Sequence, residues 1–193
     1  MSEPKIDLEK VFERLKLNQE IAQKFFEIET CILSVLNFKD LFEKLLIEIR
    51  EKFGIPHLWI SLIAKNDISC LVQELASSED LKDRLNLIDG ETFLALIDQK
   101  TKPVLANRDL KHFYKLLPEN EKYFIKSIAV VPLTLDGEII GSLNMADYSE
   151  TRFQPGMDTQ FLEQLSTIVS ICLSNVNAHE RLRLLVDFEA DLS

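Results

Sequence analysis

The chain has 193 residues, 46% of them hydrophobic and 28% charged, long enough for one sizeable domain with appended helices. Its net charge of -10 argues against a phosphate-backbone partner, which needs clustered Lys and Arg, so no nucleic-acid binding is expected. Cys31, Cys70 and Cys172 are widely spaced with no CxxC pair, which argues against a structural zinc site or a disulfide framework.

The N-terminus, MSEPKIDLEKVFERLK, is charged where a signal peptide is apolar. From Ile6 to Leu36 a helical row recurs at spacings of three and four: Leu8, Val11, Leu15, Asn18, Ala22, Phe25, Glu29, Ile32, Leu36. Asn18 and Glu29 interrupt it. A second row (Phe12, Ile21, Phe26, Ile28, Leu33) widens the stripe, so this helix is expected to pack on more than one surface. Asn37 reads as a break and N-cap. A helix follows over Lys39 to Phe53, with Glu48 and Lys52 as a favourable i,i+4 pair, and Gly54 with Pro56 ends it.

His57 to Ala64 is a strand whose faces carry Leu58, Ile60 and Leu62 on one side and His57, Trp59, Ser61 and Ile63 on the other. Ile68 to Leu75 is expected to return as its hairpin partner. Residues 77–126 give mixed signals: Ser78-Glu79-Asp80 capping a short helix, a helix over Gly90 to Gln99, a strand over Pro103 to Ala106, and a helix over Arg108 to Leu117. Ser127 to Leu135 and Glu138 to Asp147 form a second hairpin around the Asp136-Gly137 turn. Pro132 predicts a bulge or an unpaired position, and Gly141 a close approach of another element. After Pro155-Gly156 a long helix starts near Met157 to Thr159 and runs to about Asp187, with the stripe Phe161, Leu165, Ile168, Cys172, Asn175, His179, Leu182, Val186. Its uncharged run, Gln164 to Ala178, is too short and polar to span a bilayer, so no membrane association is expected. With three cysteines read as small reduced hydrophobes, the expected location is cytoplasmic.

This order of elements predicts an α+β fold, terminal helices covering one face of a sheet. The divisions are 1–37, an N-terminal dimerisation helix; 38–156, the domain core; and 157–193, a helix that completes the core and a helical bundle.

The run Ser127, Val131-Pro132-Leu133, Asp136-Gly137, Ile140-Gly141-Ser142-Leu143, Arg152-Phe153-Gln154-Pro155-Gly156-Met157, Phe161-Leu162 resembles a GAF domain. Its Arg-Phe-x-Pro-Gly-Met segment is similar to the DUF484 group of bacterial GAF-like proteins. The resemblance covers roughly Ile6 to Arg183. It implies an antiparallel sheet of five or six strands, helices behind, a loop-covered cavity in front, and a role in small-molecule sensing or dimerisation. No catalytic residue, metal or cofactor follows from it. The cyclic-nucleotide signature of some GAF domains finds only a loose, wrongly spaced echo in Asn107-Arg108, Phe113 and Glu119. Reductase or bilin chemistry in this fold needs cavity cysteines, and only Cys70, placed on a strand, is a candidate.

A sensor pocket combines apolar walls with a few convergent polar groups. The candidates are Trp59 and Ser61 on the first strand pair, Ser142 and Asn144 on the second, and Asn107, Arg108 and His112 on the covering segment, where Arg108 could neutralise an anion. The reading is a non-catalytic regulatory module that senses an unidentified small molecule, mediates dimerisation, or does both. Its alternatives are an orphan thiol-redox cavity enzyme and a purely structural dimer. The terminal helices carry more apolar surface than one sheet face needs, and Asn18 and Asn175 sit where a polar seam residue fixes register. The expected partner is therefore a second copy, joined through a four-helix bundle, with a downstream protein reached through the same helices.

Overall fold

In the computed structural model, which describes residues 8–65, 68–98, 100–118 and 124–191, a five-stranded sheet separates two apolar cores. The strands are β1 (His57–Ile63), β2 (Leu85–Ile88), β3 (Val104–Ala106), β4 (Ser127–Leu135) and β5 (Glu138–Asp147), in the order β2-β1-β5-β4-β3. The β1–β5, β4–β5 and β3–β4 pairs are antiparallel, whereas β1 and β2 run parallel. The sheet is therefore mixed rather than wholly antiparallel.

The first expected hairpin does not form. Residues 68–75 are not a strand: Ser69–Ser77 is a helix, α3. Ile68, Leu71, Val72 and Leu75 repeat at helical spacing and face the core, Ile68, Leu71 and Leu75 fully buried. The chain returns to β1 only at β2, after a short 3-10 turn at Lys82–Arg84. A parallel neighbour needs such a crossover. Ser78 shapes its start: its Oγ accepts from the N–H groups of Asp80 and Leu81 (both 3.2 Å) and donates to Glu43 Oε1 (2.6 Å). Cys70 consequently lies on α3 and is exposed, neither on a strand nor buried.

The larger core lies between one sheet face (Leu58, Ile60, Leu62, Val131, Leu143, Met145) and the helices α1 (Leu8–Ile32), α2 (Phe38–Phe53) and α5 (Gln160–Asp191), with Leu71 and Leu75 of α3 in the same core. Asn37 caps α2 by accepting from Asp40 N–H at 2.8 Å. Glu74 of α3 adds a second cap, its Oε2 accepting from the N–H groups of Phe38 (3.1 Å) and Lys39 (3.3 Å). At the other end Gly54 takes the left-handed conformation (φ 62°), and Arg152 Nη2 donates to the carbonyl of Phe53 at 2.6 Å. Arg152 thus ties the Arg-Phe-x-Pro-Gly-Met loop to the end of α2. Lys52 meets Glu48 at 3.3 Å and reaches across to Glu27 of α1 at 2.7 Å. Buried Glu29, an interruption in the α1 stripe, accepts from Gln164 of α5 at 2.9 Å.

The β4–β5 hairpin turns at Asp136 (φ 52°) and Gly137 (φ 88°). Pro132 stays in register opposite Ser142, and the bulge falls one step later, between Leu133 and Thr134. Three serines at helical spacing on α5 satisfy the backbone there. Ser166 donates to the Pro132 carbonyl (2.5 Å), while Ser170 accepts from Thr134 N–H (3.0 Å) and Ser174 from Asp136 N–H (3.3 Å). At Gly141 a Cβ would sit 2.0 Å from the carbonyl oxygen of Ser61, so the expected close approach is the backbone of β1.

Candidate functional site

The sheet face turned away from α1, α2 and α5 carries a group of four buried side chains with polar atoms on its inner strands β1 and β5. Strand parity places Trp59 and Ser61 on this face of β1, and Ser142 and Asn144 on the same face of β5. The register sets Trp59 opposite Asn144 and Ser61 opposite Ser142. All four are fully buried. Around them lie Ile63, Ile128, Val130 and Ala146 of the sheet, with Phe93 and Ile97 from the α4 (Gly90–Leu96) region and Leu116 from a 3-10 turn (Leu110–Leu116).

The four side chains form one hydrogen-bonded chain. Ser142 Oγ donates to Asn144 Oδ1 at 2.9 Å, and Asn144 Nδ2 donates to Ser61 Oγ at 2.9 Å. Ser61 Oγ then donates to the carbonyl of Leu116 at 2.9 Å, and Trp59 Nε1 donates to the same carbonyl at 2.5 Å. Both lone pairs of one backbone oxygen are thus engaged from the sheet. Nearby, Asn86 Nδ2 of β2 donates to the carbonyl of Lys115 at 3.1 Å. The covering segment is held down by two adjacent carbonyls, 115 and 116.

Trp59, Ser61, Ser142 and Asn144 are therefore brought together, but their polar atoms point to each other and to the cover. Asn107, Arg108 and His112 do not join them. Asn107 donates to the carbonyl of Glu150 at 2.9 Å, tying the end of β3 to the loop after β5, while Arg108 and His112 are exposed. Glu119, part of the loose nucleotide signature, lies outside the described residues. The sequence reading missed Asn86 because it did not recognise β2, although Leu85-Asn86-Leu87-Ile88 shows a strand's alternation, with Asn86 and Ile88 buried and Leu87 exposed. The Leu116 carbonyl, being backbone, leaves no mark in the sequence.

The GAF domain family pattern matches residues 35–174, from the start of α2 to the serine stripe of α5. The chain belongs to the GAF family. Two solved GAF domains share its fold. One is from an Acinetobacter phosphoenolpyruvate-protein phosphotransferase (17% identity, TM-score 0.54, covering 83% of this chain and 94% of that one). The other is from a Coxiella burnetii phosphoenolpyruvate-protein phosphotransferase (13%, 0.53, 86% and 96%). A Neisseria meningitidis free methionine-R-sulfoxide reductase aligns at 16% identity with a TM-score of 0.47, covering 80% of this chain and 88% of that one. No curated protein sequence matches the chain.

The cysteines of this GAF domain lie away from the network. Cys172 is buried on α5 with its thiol toward the Ile32 carbonyl (3.7 Å), Cys31 is half-buried near Glu48, and Cys70 is exposed beside Glu74. Burial raises the pKa of Cys172, and burial with the Glu74 charge raises that of Cys70, so both thiols resist ionisation. Among the described residues no cluster of His, Cys, Asp and Glu suits a metal ion, and no helix is long and apolar enough to cross a membrane.

A concavity opens on the helix side of the GAF domain. It is a cavity of about 820 Å³ between α1, α2, the end of β5, the Arg152–Met157 loop and the start of α5. Leu17, Ile21, Phe25, Phe53, Phe153 and Phe161 give it apolar walls. Phe25 forms the junction, 4.9 Å from the Phe53 ring and 5.4 Å from that of Phe161. Beyond this cavity α1 leaves the domain. Every residue from 8 to 20 is exposed, including Leu8, Val11, Phe12, Leu15 and Leu17. At the far end of α5, Leu182, Leu185 and Val186 are likewise exposed. Asn18 and Asn175 are exposed too.

Proposed function

We propose that this GAF domain is a non-catalytic regulatory module that works as a homodimer joined through its terminal helices. The observation that carries the reading is the first half of α1. An isolated helix of this length is marginal in water, and its apolar ridge finds no cover on its own domain. A second copy is the economical cover, because the same ridge is present on it. The exposed end of α5 offers a further contact for a downstream protein. Light scattering on the purified chain tests this: a particle of twice the 22.2 kDa chain mass is expected, and a concentration-independent monomer overturns it.

A second role on the same domain, small-molecule sensing, is favoured by the doubly engaged Leu116 carbonyl. Trp59 and Ser61 are buried donors aimed at one oxygen, and a ligand's carbonyl or carboxylate oxygen would satisfy them equally if the cover moved aside. The polar chain through Asn144 to Ser142 would then orient that ligand, and the exposed Arg108 and His112 would border its entry. Native mass spectrometry of protein purified from its own cells checks it: a stoichiometric adduct is expected, and a bare mass removes sensing while leaving the dimer. The Arg152-Phe153-Gln154-Pro155-Gly156-Met157 run supports placing the chain with the DUF484 group. Neither an unactivated pair of thiols nor the internally satisfied network favours an enzyme.

A further inference from the structure

We propose that the covering segment Leu110–Leu116 sits in the sensing pocket as a built-in ligand. The molecule that displaces it is then a neutral compound with two carbonyls flanking a branched apolar group, an N-acyl-leucinamide in kind. The inference rests on the sensing reading of this site and adds what the ligand must be.

The segment is held by few groups of its own. Leu116 is its one fully buried residue, within the apolar cluster of Phe93, Ile97 and Ile128, while Lys111, His112, Tyr114 and Lys115 are exposed. It is a 3-10 helix over all seven residues, a form whose poorer hydrogen bonds rarely sustain more than three or four. The chain enters it through Asp109 in the left-handed conformation (φ 51°). Against this slight element the sheet sets a chain of buried polar groups. Asn144 Nδ2 donates to Ser61 Oγ, which directs the Ser61 proton to the Leu116 carbonyl. Trp59 Nε1 donates to the same oxygen, and Asn86 Nδ2 to the Lys115 carbonyl. Three donors thus converge on two backbone oxygens. An apolar floor would hold an apolar cover without the desolvation these groups suffer.

The two oxygens define the ligand. They are successive in the chain, with the Leu116 Cα and its isobutyl group between them. A molecule that replaces both oxygens and the side chain repeats that unit: carbonyl, amide N–H, branched apolar group, carbonyl. It must also be uncharged. No residue of the network or of the apolar cluster around it carries a charge, and the buried charged residues among those described, Glu29 and Glu180, lie on α1 and α5. A carboxylate could accept the same hydrogen bonds, but its charge would be buried with no cation beside it.

The probe is N-acetyl-L-leucinamide, whose acetyl and carboxamide carbonyls reproduce those of Lys115 and Leu116. Trp59 is the chain's single tryptophan, so its indole N–H gives one NMR signal at the donor atom itself. Titration into the 15N-labelled full chain is expected to shift that signal saturably, with faster amide exchange in residues 110–117 as the cover is released. N-acetyl-L-leucine, an anion at neutral pH, should bind at least about tenfold more weakly. Leu116→Ala removes most of the built-in side chain and should tighten the diamide at least about tenfold, because apparent affinity scales with the open fraction. Four results each overturn the proposal: no saturable indole shift up to the solubility limit of the diamide, an equal response to N-acetyl-L-leucine, a shift with the cover still protected, or unchanged affinity in folded Leu116→Ala. If that variant does not fold, the titrations of the parent chain decide alone. A natural adduct that releases the cover where the diamide does not overturns the ligand class and leaves sensing standing, whereas a bare mass with no indole shift overturns both.

Discussion

Asn144 is bonded through both ends of its amide, and removing either neighbour strands a buried polar atom. Ser61→Ala leaves Asn144 Nδ2 without its hydroxyl acceptor and Leu116 with one donor fewer. A loss of roughly 1–3 kcal/mol is expected from urea unfolding, with faster amide exchange in residues 110–118 than elsewhere. Uniform exchange would mean that the network does not hold the cover. His57, at the start of β1 and edge-on to Tyr148 at 4.9 Å, carries a pH dependence. Burial, followed by the charge of Arg50, holds its pKa below the usual 6.5. The unfolded chain therefore binds the proton more readily, and this contribution to stability is intact above about pH 6.5 and is lost as the pH falls through that value toward the folded pKa. Thermal melts between about pH 7.5 and about pH 5.5 should show a smaller drop in Tm for His57→Gln than for the parent. At this scale strand parity made Trp59 with Ser61, and Ser142 with Asn144, legible as two pairs, which the β1–β5 register brings together. Their partners were not, because the acceptor is a backbone carbonyl on a segment 55 residues from Ser61 in sequence.

The elements read most clearly where local chemistry was decisive. Asn37 and Gly54 bound α2, and Asp136-Gly137 turns β4 into β5. The reading failed at α3, where a short apolar run satisfies both periods and only the tertiary contacts of Leu71 and Leu75 decide between them. It also overlooked β2, a four-residue edge strand whose pairing is parallel and so distant in sequence. Two substitutions probe element packing. Gly141→Ala would drive a methyl group into the β1 backbone at Ser61, and a destabilisation of about 3 kcal/mol is expected in chemical denaturation. A near-neutral value would mean that β1 and β5 can separate locally at little cost. Ser170→Val leaves the Thr134 N–H at the bulge without its acceptor and should cost about 1–2 kcal/mol, more than the same change at exposed Ser34 on the same assay.

Across the molecule, α1 and α5 run in the same direction and overhang the domain at opposite ends, α1 before its contact with Phe161 and α5 beyond its contact with Ile32. The heptad-like rows that suggested a bundle were legible in the sequence, but which half of each row faces inward depends on where the domain ends. Deletion of residues 1–16 should yield a folded monomer with native-like circular dichroism, whereas a persistent dimer would shift the interface to α5. The sheet itself offers little to a neighbour. Its outermost strands, β2 and β3, are 4 and 3 residues long, and each presents too few unpaired backbone groups to template another chain. The fold thus guards against cross-β aggregation at both of its open margins. What the described elements offer a neighbouring chain is therefore apolar side chains on helices rather than unpaired strand backbone.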